Sequence, residues 1–301
     1  MNVLAIIAAL VLEQWRPLGD RKALHGLAAR WARWVEESFN AGEERHGAIA
    51  WVLAVALVAI GAAALYWLLL WAHPLLAVLL NVAALYLTLG FRQFSHHFTA
   101  IQAALRSGDM DRALDELSRW RGEPVTGRSR EEAVRLTIEE ALAASHRHVF
   151  AVLFWFMLLP GPSGAILYRL SHFVRRRWAG LGAFGRFAVK LHRLLEWPAV
   201  RLTAAAFAVV GDFEDAVYCW RTQAPAWPEA EQGIVLAAGA GAMGVRLGLP
   251  VTSEGGMAPR PELGVGEAAD VQFLDSTVGL LWRALVLWVA MLVVVGIARV
   301  F

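Results

Sequence analysis

The sequence is poor in cysteine: Cys219 stands alone among 301 residues, which excludes an internal disulfide. In its apolar surroundings it reads as a buried, inert thiol. Net charge is also scarce. Twenty-eight Lys and Arg face 26 Asp and Glu, and the resulting +2 leaves no global field to attract nucleic acid. There is no P-loop, no CxxC and no Ser/His/Asp order, so the familiar signatures of nucleotide, redox and triad chemistry are missing. Strand-like alternation is missing too, and no β-rich stretch is convincing. Met1 to Leu12 is apolar but lacks a basic leading region and a small-x-small cleavage site. It reads as a short first membrane helix rather than a removed signal peptide.

The most telling lack is of charge along Ile49 to Ala72, which holds no Asp, Glu, Lys or Arg. His73-Pro74 follows, and a second apolar run continues to Phe91. A helix rises about 1.5 Å per residue and a bilayer core is about 30 Å thick, so each run reaches across, the second only just. The pair reads as a transmembrane hairpin. Composition agrees: 58% of residues are hydrophobic, against about 45–50% in soluble domains. Val278 to Val300 reads as a last spanning helix, with Arg283 near its start placed to snorkel.

Three basic segments set the orientation. Glu13 to Ala48 holds Arg16, Arg21, Lys22, Arg30, Arg33 and Arg45, Arg92 to His148 is rich in Arg, and Arg169 to Arg193 contains Arg175-Arg176-Arg177. Basic loops stay cytoplasmic, which puts His73-Pro74 outside. A single crossing by Val149 to Tyr168 would place the third basic segment on the wrong side. Pro160-Gly161-Pro162 resolves the conflict, because proline breaks a helix and glycine permits the turn. Val149 to Leu159 and Ser163 to Phe173 then become half-helices that enter and leave on one side, a candidate wall of a site. Arg201 lies in the apolar stretch Glu196 to Trp220, which also contains Gly211-Asp212 with Glu214 and Asp215 following. It either snorkels from an interfacial helix or faces a cavity.

The fold class expected is all-α: a multi-pass helical membrane protein with a re-entrant or broken-helix hairpin and cytoplasmic amphipathic helices. Residues 1–301 form one integral membrane domain, with a cytoplasmic helical segment at 92–148 and a flexible, Gly- and Pro-rich loop at 249–277. Within 92–148, Met110, Ala113, Leu114, Leu117 and Trp120 recur at helical spacing, with Asp109 as N-cap. After a loop with Pro124, Gly127 and Arg128, Ser129-Arg130-Glu131-Glu132 has capping-box form and opens a helix that runs into the membrane.

Two motifs invite chemistry and are better explained without it. Gly239-Ala240-Gly241-Ala242-Met243-Gly244 matches the dinucleotide fingerprint, but no strand–turn–helix context surrounds it, and small residues for close packing explain it. His96-His97 and His146-Arg147-His148 lack further converging ligands and read as structural or interfacial histidines, so no metal is expected.

Several segments, in order, resemble the CbiB/CobD family of integral membrane proteins in cobalamin biosynthesis, whose superfamily is shared with AmpE, an inner-membrane protein tied to β-lactamase induction. They are Ala104-Leu105-Arg106-Ser107-Gly108-Asp109-Met110, Leu153-Phe154-Trp155, Gly164-Ala165 with Tyr168-Arg169, Arg201-Leu202-Thr203-Ala204, and Gly241 to Gly248. The resemblance implies an inner-membrane location and amide formation between adenosylcobyric acid and aminopropanol or its phosphate. Mg²⁺ and a nucleotide are implied if that activity is retained. By the same resemblance Glu139 is the candidate catalytic residue, and Tyr168, Arg169, Arg201, Arg246 and His97 are candidate ligand-binding residues.

The sequence departs from the family pattern in one direction. Glu139 is kept, but Ala143, Ala144 and Arg147 occupy the later polar and acidic positions of its stretch. His172-Phe173-Val174-Arg175-Arg176 replaces Asn-Thr-Leu-Asp-Ser, His192-Arg193 replaces an Asp pair, and His96-His97 replaces Glu-His. Only Pro225-Ala226-Trp227-Pro228 survives of an Asn-Ala-Gly-Trp-Pro element. A Mg²⁺ site loses its ligands by such changes, whereas an anion site tolerates them. Three functions stay open: a cobalamin-pathway membrane protein of the CbiB/CobD type with the family activity or an altered one, an AmpE-like membrane regulator without enzymatic activity, and a binding or transport component for a corrinoid or other anionic small molecule. The partners expected are the lipid bilayer and such a ligand, not nucleic acid. Arg169 and Arg201 are expected to line one polar cavity near Glu139 and Tyr168, offsetting the roughly 2.5–3.5 kcal/mol cost of an arginine at mid-membrane.

Overall fold

The computed structural model describes residues 2–15, 22–125, 128–253 and 256–298. Arg16, Arg21, Gly127 and the end of the last apolar run, 299–300, lie outside the described residues. The chain is mostly helix, and five short strands between Val245 and Ala268 depart from the all-α reading. It divides into two compact units: Met1–Gly90 with Ala151–Ala199 and Val295–Phe301, and Phe91–Phe150 with Val200–Val294.

In the first unit, Glu44–Ala72 is a continuous helix of 29 residues with a π-helical turn at Val52–Ala56. One face exposes Ile60, Leu65, Trp67, Leu68 and Trp71, an apolar surface that water does not favour. His73 ends this helix and starts the next. Its backbone is extended, its Nδ1 accepts the Leu75 N–H at 3.2 Å, and Pro74 takes the first helical position, where no N–H is needed. The second arm, Pro74–Thr88, has 15 residues and spans only about 22 Å. It is shorter than the apolar run to Phe91 suggests. Asn2–Trp15 packs against it.

The break at Pro160-Gly161-Pro162 is present. Helices Ala151–Leu158 and Ser163–Trp178 pack on each other around it. Gly161 has φ +58°, and a Cβ there would strike Tyr66. A Cβ at Gly164 would collide with the Trp155 carbonyl, so glycine is what lets the two helices approach closely. Trp178, Phe184, Val35, Trp51 and Val174 form the core beneath.

In the second unit, Asp109 and Ser129 cap their helices as expected, accepting the N–H groups of Arg112 and Glu132 at 3.1 Å each. Arg130–Ser145 is buried nearly all round. Ala230–Met243 packs on it, and a Cβ at Gly239 would meet Leu142 at 2.7 Å. The nucleotide-like glycines therefore lie inside a helix and at its left-handed end, Gly244, where they serve packing and termination. The strands follow. Val245–Gly248 pairs antiparallel with Glu262–Leu263 and parallel with Glu267–Ala268, and Val251–Ser253 pairs antiparallel with Gly256–Ala258. The segment read as a loop at 249–277 thus carries four of the strands and the start of the helix Gln272–Ala298. The helix Gly182–Val210 includes residues of both units and joins the third basic segment to the apolar stretch around Arg201.

Among the described residues, Glu44–Ala72, Arg130–Leu158 and Gln272–Val294 are long and apolar enough to cross a membrane, while Val3–Glu13 and Pro74–Thr88 are shorter apolar helices.

Candidate functional site

Glu139 lies on the buried helix Arg130–Ser145 and is itself buried. One carboxylate oxygen accepts the Gly248 N–H at 3.0 Å, and the other pairs with the Arg260 guanidinium. Arg260 in turn lies over the Trp227 ring, 4.7 Å from its centroid. Gly248 can occupy this turn because its φ is +71° and a Cβ there would strike the Pro261 carbonyl. Three segments far apart in sequence therefore meet at one point: the Glu139 helix, the Gly241–Gly248 element and Trp227.

Glu139, Trp227 and Arg260, with Arg121 and Arg128, wall a cavity of about 230 Å³. Its acids are paired. Glu139 meets Arg260, Glu123 meets Arg121 at 2.5 Å, and Glu140 meets Arg147 at 2.5 Å. Guanidinium groups with an indole face suit a small anionic group carrying some apolar surface. Mg²⁺ does not fit here. It demands several oxygen ligands in octahedral array, and these carboxylates are already spent on arginine.

The first unit holds a second polar cluster. His192 and Glu196 are one turn apart on Gly182–Val210, and His172 comes from Ser163–Trp178. Nε2 of His192 lies 3.1 Å from Glu196 Oε1 and 3.3 Å from His172 Nδ1. Tyr168 donates its O–H to the same Glu196 oxygen at 2.6 Å, and Ser171 Oγ is 3.2 Å from His192 Nδ1. Tyr168 and His192 are fully buried.

The residues singled out from sequence fall in both units. Tyr168 and Arg169 fall in the first unit, and Glu139, Arg201, Arg246 and His97 in the second. Tyr168 engages Glu196. Arg246 is exposed and 3.7 Å from Glu262. His97 is 3.4 Å from Glu116 and stacks on Trp120. His146 is buried and 2.9 Å from Thr203 Oγ1, a structural contact. Arg169 and Arg201 are half-buried, and neither is without a partner. Asp212 caps the helix Phe213–Thr222 through the Asp215 N–H. Sequence reasoning missed Arg260, which sits in a Gly- and Pro-rich segment with no pattern to mark it. It also set metal aside and missed the His172, His192 and Glu196 donor set, whose one legible signal was the i,i+4 spacing of His192 and Glu196.

A family model described as CobD/Cbib protein matches residues 6–295. The chain belongs to the CobD/CbiB family. Family relatives carry the name Cobalamin biosynthesis protein CobD. That of Stutzerimonas stutzeri is 35% identical over 303 residues, covering 97% of both chains. That of Chromobacterium violaceum is 37% identical over 223 residues, covering 72% of this chain and 71% of its own. That of Photorhabdus laumondii is 26% identical over 291 residues, covering 88% of each. No solved structure matches the chain. Family membership accounts for the Gly241–Gly248 element without a nucleotide-binding fold, in keeping with its helical setting.

Proposed function

We propose that this chain is a multi-pass inner-membrane protein of cobalamin biosynthesis that forms the amide between adenosylcobyric acid and aminopropanol or its phosphate. The observation that carries the reading is the convergence of Glu139, Arg260 and Trp227 on a small cavity walled by arginine. At about 230 Å³ it falls below the roughly 300–1,000 Å³ of drug-sized ligand pockets, which suits aminopropanol phosphate and not a corrin ring. In this reading Arg128, paired with Glu132, and Arg260, paired with Glu139, hold the phosphate with their remaining N–H groups, and Trp227 covers the aliphatic carbons. Glu139 is a positioning residue: it aims Arg260 and pins the turn at Gly248. Amide formation joins the amine nitrogen to the carboxyl carbon, with loss of the carboxyl's activating group and of one amine proton to solvent; a nucleotide would supply that activation. The residues around this cavity do not suit Mg²⁺, and no step is routed through it.

The arginine-rich segments face the cytoplasm, the hairpin at Val149 to Phe173 enters and leaves on that side, and Arg169 and Arg201 bind anionic groups of the substrates. The CobD name of the relatives supports the biosynthetic reading, and none of them supports an AmpE-like regulator.

Complementation of a strain lacking the amide-forming enzyme tests this. The wild-type gene restores cobalamin synthesis from cobyric acid, while R260A, expressed to the same level in the membrane, does not. Failure of a well-expressed wild type refutes amide formation and leaves an anion-binding membrane component.

A further inference from the structure

His172, His192 and Glu196 present three ligand atoms that all lie within 4.8 Å of one another. We infer that they form a binding site for one divalent transition-metal ion, of the two-His-one-carboxylate type.

The distances carry the argument. A tetrahedral ion with bonds of about 2.0–2.1 Å to nitrogen and oxygen sets neighbouring donors about 3.3–3.4 Å apart. The two separations that meet at His192 Nε2 are 3.1 and 3.3 Å. Two neighbours converge on Nε2 of His192, which has one proton or one lone pair in the ring plane. A single cation between the three satisfies all of them at once.

The surroundings are those of a metal site. His192 keeps Nε2 toward the cluster while Nδ1 lies 3.2 Å from Ser171 Oγ, which can accept an Nδ1–H and so accommodates the tautomer that leaves Nε2 to ligate. Tyr168 donates to Glu196 at 2.6 Å and orients that carboxylate. His192 is fully buried and Glu196 nearly so, whereas His172 is half-buried, so the ion is reached from the His172 side. Two imidazoles select against Mg²⁺ and for zinc, cobalt or iron. With three protein ligands, a fourth position stays open to water or substrate, the pattern of catalytic rather than structural zinc.

The test uses the tag-free full chain in detergent, stripped with a chelator, with Co²⁺ and Zn²⁺ as probes. Wild type takes up one equivalent of Co²⁺ with a visible d–d spectrum that Zn²⁺ abolishes, and Zn²⁺ raises its melting temperature. H172A, at the accessible position, weakens Co²⁺ binding at least tenfold and loses the Zn²⁺ shift. E196Q behaves likewise. Y168F weakens binding tenfold while retaining the spectrum, as expected of a positioning residue. Folded wild type without a Co²⁺ spectrum, or equal binding by wild type and H172A, overturns the assignment. If E196Q does not fold, H172A still decides. The readouts are metal uptake and melting, so they stand or fall independently of complementation.

Discussion

Replacing Glu139 with Gln keeps the side chain's shape and removes its charge. The amide oxygen still accepts the Gly248 N–H, so the loss falls on Arg260. The Glu139 side chain is 4% exposed and that of Arg260 is 17% exposed, so the pair is largely shielded from water. Removing one partner of a buried pair costs about 3–5 kcal/mol, because the other charge is left uncompensated. Arg260 retains its place over Trp227, worth about 0.5–2 kcal/mol, and some access to water. The lower end, about 3 kcal/mol, is therefore expected. At about 2–4 °C per kcal/mol for a chain of this order, E139Q melts about 6–12 °C below wild type. The assay is thermal unfolding in detergent, read by tryptophan fluorescence. The double variant E139Q/R260Q removes both charges and recovers most of the loss, giving a coupling energy of about 1–3 kcal/mol. An E139Q melt within 2 °C of wild type, or strictly additive single variants, would refute the claim that this pair organises the cavity.

Burial pushes the Cys219 thiol from 9.0 up to about 11. Maleimide at pH 7.5 therefore labels it only after denaturation. Between pH 9 and 11 the unfolded chain loses a proton that the folded chain keeps, so stability falls as pH rises through that window and is unaffected below it; C219A flattens this part of the pH profile. At Gly241 a Cβ would collide with the Asp215 backbone, so G241A costs about 1–3 kcal/mol and lowers the yield of folded protein, whereas G279A, with open space at the same atom, does not. A cysteine at exposed Ala179, in a C219A background, reacts with an impermeant reagent only from the cytoplasmic side; labelling from outside means that Val149 to Tyr168 crosses the membrane.

By itself the sequence determined the elements whose causes are local. Uncharged length made Ile49 to Ala72 a candidate span, His73-Pro74 had to end one helix and open another, and Asp109 and Ser129 marked their helix starts by short-range capping. Pro160-Gly161-Pro162 broke a helix because proline removes a donor. The family was legible too, since its motifs are contiguous strings. Only the tertiary structure decided the rest. The strands between Val245 and Ala268 are too short to show a period of two, and their register depends on turns at Gly244, Gly248, Gly264 and Gly266, all with positive φ. The partner of Glu139 is Arg260, 121 residues away, and no spacing rule reaches that far. His172 joins His192 and Glu196 across 20 residues because two helices pack with those faces together. Side-chain convergence of this kind is a property of packed surfaces, which a one-dimensional pattern does not encode.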